Sequence, residues 1–311
     1  MIIRTAAMNN KINIKEMIIC PVCGASFESD GKSLICCGEK HHLFDFASSG
    51  YVNLLPPGKG KNSKSGDDAE MMAARKRFLA SGCYDRISVT IGEIISSLAK
   101  DKREGGICVV DSGSGEGRHT CNIIKTVAEN GIPALAIGFD ASKKGAALAS
   151  SLAKRETIAN PYFCDGTHNL SAFFAAGNIF SLPVRDHSAD FVPSLFAPIA
   201  GEENKRILRQ DGCLVVAASG AHHLVELRKV LYDEVRLSSG EIRCPEGFYK
   251  VSEQTLCYKT IVENNALIRD LFTMTPFYYR TSLSDKAKLD KIDRLEITVE
   301  VLVGVFSPKK Q

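Results

Sequence analysis

The sequence predicts an α/β fold: a Rossmann-like domain on a mostly parallel sheet, with a small cysteine-rich module ahead of it. Three observations carry this. From Gly106 onward, short apolar runs alternate with amphipathic stretches, the rhythm of strands buried on both faces between helices. The first run ends in a glycine-rich turn, Asp111-Ser-Gly-Ser-Gly-Glu-Gly117. Well upstream, Cys20-Pro-Val-Cys23 is followed by Cys36, Cys37, His41 and His42, with too little apolar sequence nearby for a separate core.

Taken in order, residues 1–15 read as an extension without interpretable signal and 16–58 as the cysteine module. Within the module, Ser33–Ile35, Leu43–Phe46 and Tyr51–Leu55 are β-like pieces between Gly-containing turns. Residues 59–104 read as a basic linker and two helices, the Pro-, Gly- and Lys-rich run from Pro56 to Gly66 marking the linker. Asp67 or Asp68 caps a helix through Met71–Leu79, which Gly82 stops. Ser88–Lys100 is a second helix, with Ile91, Ile94, Ile95 and Leu98 on one face.

Residues 105–311 form the large domain. Ile107–Val110 is its first strand, His119–Glu129 a helix with Ile123, Ile124 and Val127 inward. Ala134–Phe139 is the next strand, ending at Asp140, and Ser142 caps a helix to Lys154. Residues 157–170 have no clear period and read as an insertion. Ala172–Ala176, Asp190–Val192 and Cys213–Ala218 are further strands, with a Glu202–Arg209 helix before the last. His223–Val235 reads as an amphipathic helix with Leu224, Leu227, Leu231 and Val235 on one side. Leu295–Val303 alternates like a strand near the sheet edge.

At 44% apolar and 24% charged, the chain is globular, neither disordered nor fibrous. No apolar run approaches the ~20 residues of a membrane helix, and Met1–Lys15 do not read as a signal peptide. A cytoplasmic location and no membrane partner are therefore expected. Four of the eleven cysteines cluster with two histidines, which in a cytosolic chain points to metal rather than disulfide. Lys59, Lys61, Lys64, Arg75, Lys76 and Arg77 crowd the region after the module, a solvated linker that doubles as a candidate phosphate-contact surface.

Zinc takes four Cys or His ligands in a tetrahedron, and a tight Cys-x-x-Cys turn supplies two. Cys20 and Cys23 are that pair. The second is open between Cys36 and Cys37 and between His41 and His42. A site filled by four protein ligands has no open position, so the zinc is structural.

Gly113-x-Gly115-x-Gly117 lies between a strand and a helix, where bare backbone comes close to a ligand. Asp140 ends the next strand, 23 residues beyond Gly117, where an acid reaches ribose hydroxyls. The dinucleotide fingerprint needs Gly or Ala where this chain has Arg118. Asp111 and Glu116 suit a cationic ligand better than a pyrophosphate. S-adenosylmethionine, with its sulfonium and amino group, is the expected cofactor.

With both motifs in place, the chain resembles the RlmA family of 23S rRNA guanine-N1 methyltransferases, which includes TlrB-type macrolide-resistance enzymes. The residues that carry the likeness are CPVC, HLFDFASSGYVNLL (His42–Leu55), GDDAEMMAARKRFLASGCY (Gly66–Tyr84), DSGSGEG, GFDASK (Gly138–Lys143), FAP (Phe196–Pro198), HLVEL (His223–Leu227) and MTPF (Met274–Phe277). It implies a class I methyltransferase domain with a seven-stranded sheet, a 23S rRNA partner and a homodimer. It also implies zinc ligands Cys20, Cys23, Cys36 and His42, the flanking apolar residues favouring the last two over Cys37 and His41. Implied cofactor contacts are Tyr84, the loop with His119 and Thr120, Asp140 and His223. Phe196 and Pro198 fall where base-modifying relatives of this fold build the target pocket. Ser112, Ser114, Pro193 and Ser219 depart from the family pattern. The alternatives are a methyltransferase acting on a small molecule or protein, and a non-catalytic RNA-binding protein with a degenerate loop.

Overall fold

A computed structural model describes residues 13–56, 69–100, 105–162, 169–237 and 239–310. The N-terminal module is a three-stranded antiparallel sheet of β1 (Phe27–Ser29), β2 (Ser33–Cys36) and β3 (Leu43–Asp45). β1 is too short for alternation to mark it in sequence. Next comes β4 (Val52–Asn53), which leaves the module and joins the large sheet.

Two helices follow, α1 (Ala69–Ala80) and α2 (Asp85–Ala99). Gly82, at φ +81°, ends α1 with its N–H on the Leu79 carbonyl. The expected caps Asp67 and Asp68 lie outside the described residues. The large domain then runs β5 (Ile107–Ser112), α3 (Arg118–Glu129), β6 (Ala134–Asp140), α4 (Lys143–Arg155), β7 (Leu170–Ala176), β8 (Ala189–Leu195), α5 (Gly201–Ile207) and β9 (Leu208–Ser219). It closes with α6 (Val225–Leu231), β10 (Phe248–Val262), α7 (Asn265–Thr273), α8 (Leu283–Ala287) and β11 (Leu295–Pro308). Ser142 caps α4 as expected, accepting the Gly145 N–H at 3.1 Å.

The sheet order is β10-β11-β9-β8-β5-β6-β7-β4, so it has eight strands where seven were expected. Seven form the large domain, and the eighth is the module's own β4, parallel to β7 with Val52 opposite Ala175. β11 runs against the other strands and pairs antiparallel with both β9 and β10. β11 lies one strand in from the edge. The edge itself is β10, whose long exposed run hides its strand character from a search for buried alternation.

Several details differ from the sequence reading. The helix expected to Arg209 ends at Ile207, because Leu208 opens β9. α6 is shorter than 223–235: Leu224 sits at φ +55° as its N-cap, and Tyr232 turns extended, so Val235 is not helical. Pro193, awkward for a central strand, is nevertheless inside β8. β5 meets β8 at Val109 opposite Phe191, and Pro193, with no N–H to give, follows two residues on. That is the switch point where strand order reverses and ligand crevices form in such sheets.

Two apolar clusters cover the sheet. One face packs Ile87, Ile91 and Ile95 of α2 and Ile123, Ile124 and Val127 of α3 against Val109, Val215 and Val301. The other packs Ile14, Ile18, Phe27 and Leu34 of the N-terminal module against Ile137, Phe139, Phe173 and Val184. The module thus shares the domain's core, and Ile14, from the segment expected to be uninformative, is 3% exposed within it. No helix among the described residues is long and apolar enough to cross a membrane.

Candidate cofactor crevice and metal centre

The metal centre forms where β2 ends. Cys20, Cys23, Cys36 and His42 bring their ligand atoms within 4.8 Å of one another. Cys20 Sγ is 3.6 Å from His42 Nδ1, and Cys23 Sγ is 3.2 Å from Cys36 Sγ. A tetrahedral zinc with sulfur at about 2.3 Å sets ligands about 3.8 Å apart, so the donor set fits. Gly38 lets the loop after β2 pass close to the cluster, since a Cβ there would stand 3.1 Å from Cys23 Sγ. The Cys36 N–H reaches back to the His42 carbonyl at 2.9 Å, and residues 37–41 bulge outward between them. In that bulge Cys37 is exposed. His41 sits at φ +42° with Nδ1 3.2 Å from the Cys36 carbonyl, so both alternates lie outside the cluster. Burial pushes the Cys20 thiol up to about 11, while the Ala25 N–H pulls Cys23 down to about 7.

The cofactor crevice forms at the ends of β5, β6 and β8. Gly113, Gly115 and Gly117 all take positive φ, which side chains disfavour. A Cβ on Gly113 would stand 2.8 Å from Ala197 Cβ, and one on Gly117 would stand 2.6 Å from Ala149 Cβ. Gly117 therefore provides the close helix contact that the dinucleotide fingerprint assigns to the position Arg118 holds here. Arg118 instead turns away, pairing with Asp85 at 2.5 Å and Glu156 at 3.3 Å.

Asp140 grips the turn: its carboxylate accepts the Gly115 N–H at 3.0 Å and the Ser142 N–H at 2.7 Å. Asp111 is 2% exposed and accepts the Thr120 hydroxyl at 2.5 Å. Thr120 is thus buried beneath the turn as a support for Asp111. Burial, with Asp140 and Glu116 close by, raises the Asp111 carboxyl to about 7, the Thr120 hydrogen bond opposing the rise. Burial also raises Glu116. Such a group of carboxylates gains from a cationic ligand. The Ser112 and Ser114 hydroxyls are buried without partners among the described residues. Bare glycine backbone, clustered acids and orphan hydroxyls fit S-adenosylmethionine.

Beside the turn, three rings meet. Phe196 follows β8 at φ +53°, a strained setting for a bulky residue, and remains 43% exposed. Its centroid is 6.4 Å from that of His119 and 6.1 Å from that of His223. Burial depresses both imidazoles to about 4, leaving them neutral near pH 7. His119 Nδ1 is 3.3 Å from Ser88 Oγ. Tyr84 is buried, edge-on to Phe78 at 5.1 Å, with its hydroxyl on His223. Pro198 is exposed two residues beyond Phe196.

The structure gives the AEMMAAR block a physical meaning that sequence alone does not. Met72 Cε lies 3.3 Å from where a Gly145 Cβ would sit, and Arg75 Nη1 lies 3.7 Å from that position at Gly115, so α1 covers the turn. The basic run accordingly splits. Arg77 clamps Asp270 of α7 at 2.8 and 2.6 Å, Arg75 faces the turn, and Lys59, Lys61 and Lys64 lie outside the described residues.

Known proteins are similar to this chain in sequence. A family profile described as "RlmA, N-terminal", a zinc ribbon, matches residues 18–64. A Bacillus subtilis (strain 168) protein, provisionally named 23S rRNA (guanine-N(1)-)-methyltransferase YxjB, is 31% identical over 93% of this chain and 97% of its own length. A Micromonospora griseorubida protein with the same provisional activity is 34% identical over 67% of each chain. The Streptomyces fradiae 23S rRNA (guanine(748)-N(1))-methyltransferase is 31% identical over 69% of this chain and 68% of its own. On that likeness, which at its widest spans nearly both chains, the chain belongs to the RlmA family of 23S rRNA (guanine-N1)-methyltransferases.

Proposed function

We propose that this chain methylates N1 of a guanine in a 23S rRNA hairpin, with S-adenosylmethionine as donor and zinc held by Cys20, Cys23, Cys36 and His42. The observation that carries the reading is the half-exposed Phe196 ring beside the glycine turn, between His119 and His223. It is an aromatic platform where a flat base can stack next to the donor site.

When bound, S-adenosylmethionine supplies a methyl group on a sulfonium. The chain's own task is positioning, which removes much of the entropic barrier. Guanine N1 lies on the pairing edge and carries a proton that would be released to solvent as the methyl group takes its place, so the base must be unpaired or flipped out before attack. Phe196 stacks the base, with about 1–3 kcal/mol to gain. Asp140 holds the turn and presents its carboxylate to the ribose hydroxyls. Asp111 and Glu116 offset the donor's positive charge. The zinc module and the basic surface after it grip the RNA through phosphates, so affinity falls with salt. A homodimer and a cytoplasmic location belong to the same reading.

Disrupting the gene and digesting 23S rRNA to nucleosides tests it. One 1-methylguanosine should disappear and return on complementation. Unchanged modification would overturn the reading.

A further inference from the structure

We propose that Arg75 binds the α-carboxylate of the methyl donor, so that α1 supplies the anionic end of the donor's site. The inference deepens the S-adenosylmethionine reading above and rests on it.

Placement is the first argument. Gly115 is the middle glycine of the turn, its N–H fixed on Asp140. Its missing side chain would point at Arg75 Nη1, 3.7 Å away. Arg75 is half-buried on the helix that covers the turn.

Charge is the second. The donor carries two positive groups, the sulfonium and the ammonium, and one carboxylate. Asp111, Glu116 and Asp140 complement the positive groups and the ribose, but they repel the carboxylate. A cation at the same turn would offset that repulsion. Arg77 and Arg118 lie on the turn's flanks and point away from it, toward Asp270 and toward Asp85 and Glu156. The guanidinium that reaches the turn is that of Arg75. Its field is felt there already: it draws the Glu116 carboxyl back against the upward push of burial, and adds to burial in keeping His119 neutral. A guanidinium also matches a carboxylate with two parallel hydrogen bonds, which an ammonium cannot do.

The test compares two ligands by calorimetry on the full zinc-loaded chain: S-adenosylhomocysteine and its decarboxylated analogue, S-adenosyl-3-thiopropylamine. The wild-type protein should prefer the carboxylated ligand by about 10- to 100-fold, the range for hydrogen bonds to a charged group. In Arg75→Gln that preference should vanish while the decarboxylated ligand binds as before. Arg75→Lys should keep part of it, and carries the comparison if Arg75→Gln does not fold. Arg77→Gln, which releases the α1–α7 clamp, should lower stability and leave the preference intact. Equal weakening of both ligands in the Arg75 variants, an undiminished preference, or its loss in Arg77→Gln would overturn the assignment. If wild-type protein binds neither ligand, the donor reading itself fails and takes this inference with it.

Discussion

The Tyr84 hydroxyl lies 3.1 Å from His223 Nε2, joining the residue that opens α2 to the loop that opens α6. Burial holds the Tyr84 phenol well above its ordinary range, so it stays protonated and pairs with the imidazole as a neutral hydroxyl. The contact fixes the His223 ring, which is set against Phe196.

Removing that hydroxyl leaves Nε2 unpaired. Tyr84→Phe should cost about 1–3 kcal/mol in urea unfolding. It should also weaken base stacking through His223, raising KM for the RNA more than for the donor. Unchanged stability would mean that the pair carries no weight in the folded protein.

Asp111 makes donor-free stability and donor binding respond to pH in opposite senses. Its folded-state value of about 7 lies above the ordinary 3.8. Between those values the folded protein holds a proton that the unfolded chain has released. The resulting stability is complete below about pH 4 and is lost as pH rises through 7. Affinity for the cationic donor should instead grow through pH 7 as the carboxylate ionises. It should grow more for S-adenosylmethionine than for the uncharged thioether of S-adenosylhomocysteine. Melting curves and titrations at pH 5.5 and 8 check both trends, and Asp111→Asn should flatten both.

Zinc should depend on His42 and Cys36 and ignore their neighbours. His42→Ala and Cys36→Ser should lower bound zinc from one per chain and reduce the melting temperature by several degrees. Cys37→Ser and His41→Ala should retain the metal, as measured by a colorimetric zinc assay after denaturation. The reverse pattern would exchange the ligands for their sequence neighbours.

Phe196→Ala should reduce RNA methylation by roughly 5- to 150-fold, the worth of one base stack, while S-adenosylhomocysteine still binds. Phe196→Tyr should retain most activity. A loss of cofactor binding in Phe196→Ala would move the ring from the base to the donor.

Much of this is legible in the sequence because the relevant signals are local. The strand–turn–helix around Gly113, Gly115 and Gly117, the Ser142 cap and the Cys-x-x-Cys turn are each set by a few adjacent residues. Other features depend on distant partners. β10 pairs along its length with β11 but buries little, so its residues show no apolar alternation. The neutral state of His119 and His223 comes from burial by segments far away in the chain. In sequence Arg75 is one more cation in a basic run, and only the placement of α1 separates it from Lys76 and Arg77.

The pairing of Val52 and Asn53 with Ala175 and Ala176 bears on how the protein can be dissected. A fragment trimmed to begin after the zinc ribbon would strip β7 of its outer neighbour. It would also uncover Phe139 and Phe173, whose neighbours in the core include Phe27 and Leu34. Bare, apolar parallel edges invite self-association. Such a fragment should precipitate before its chemistry could be judged, which makes single ligand substitutions the sounder way to separate RNA capture from methyl transfer.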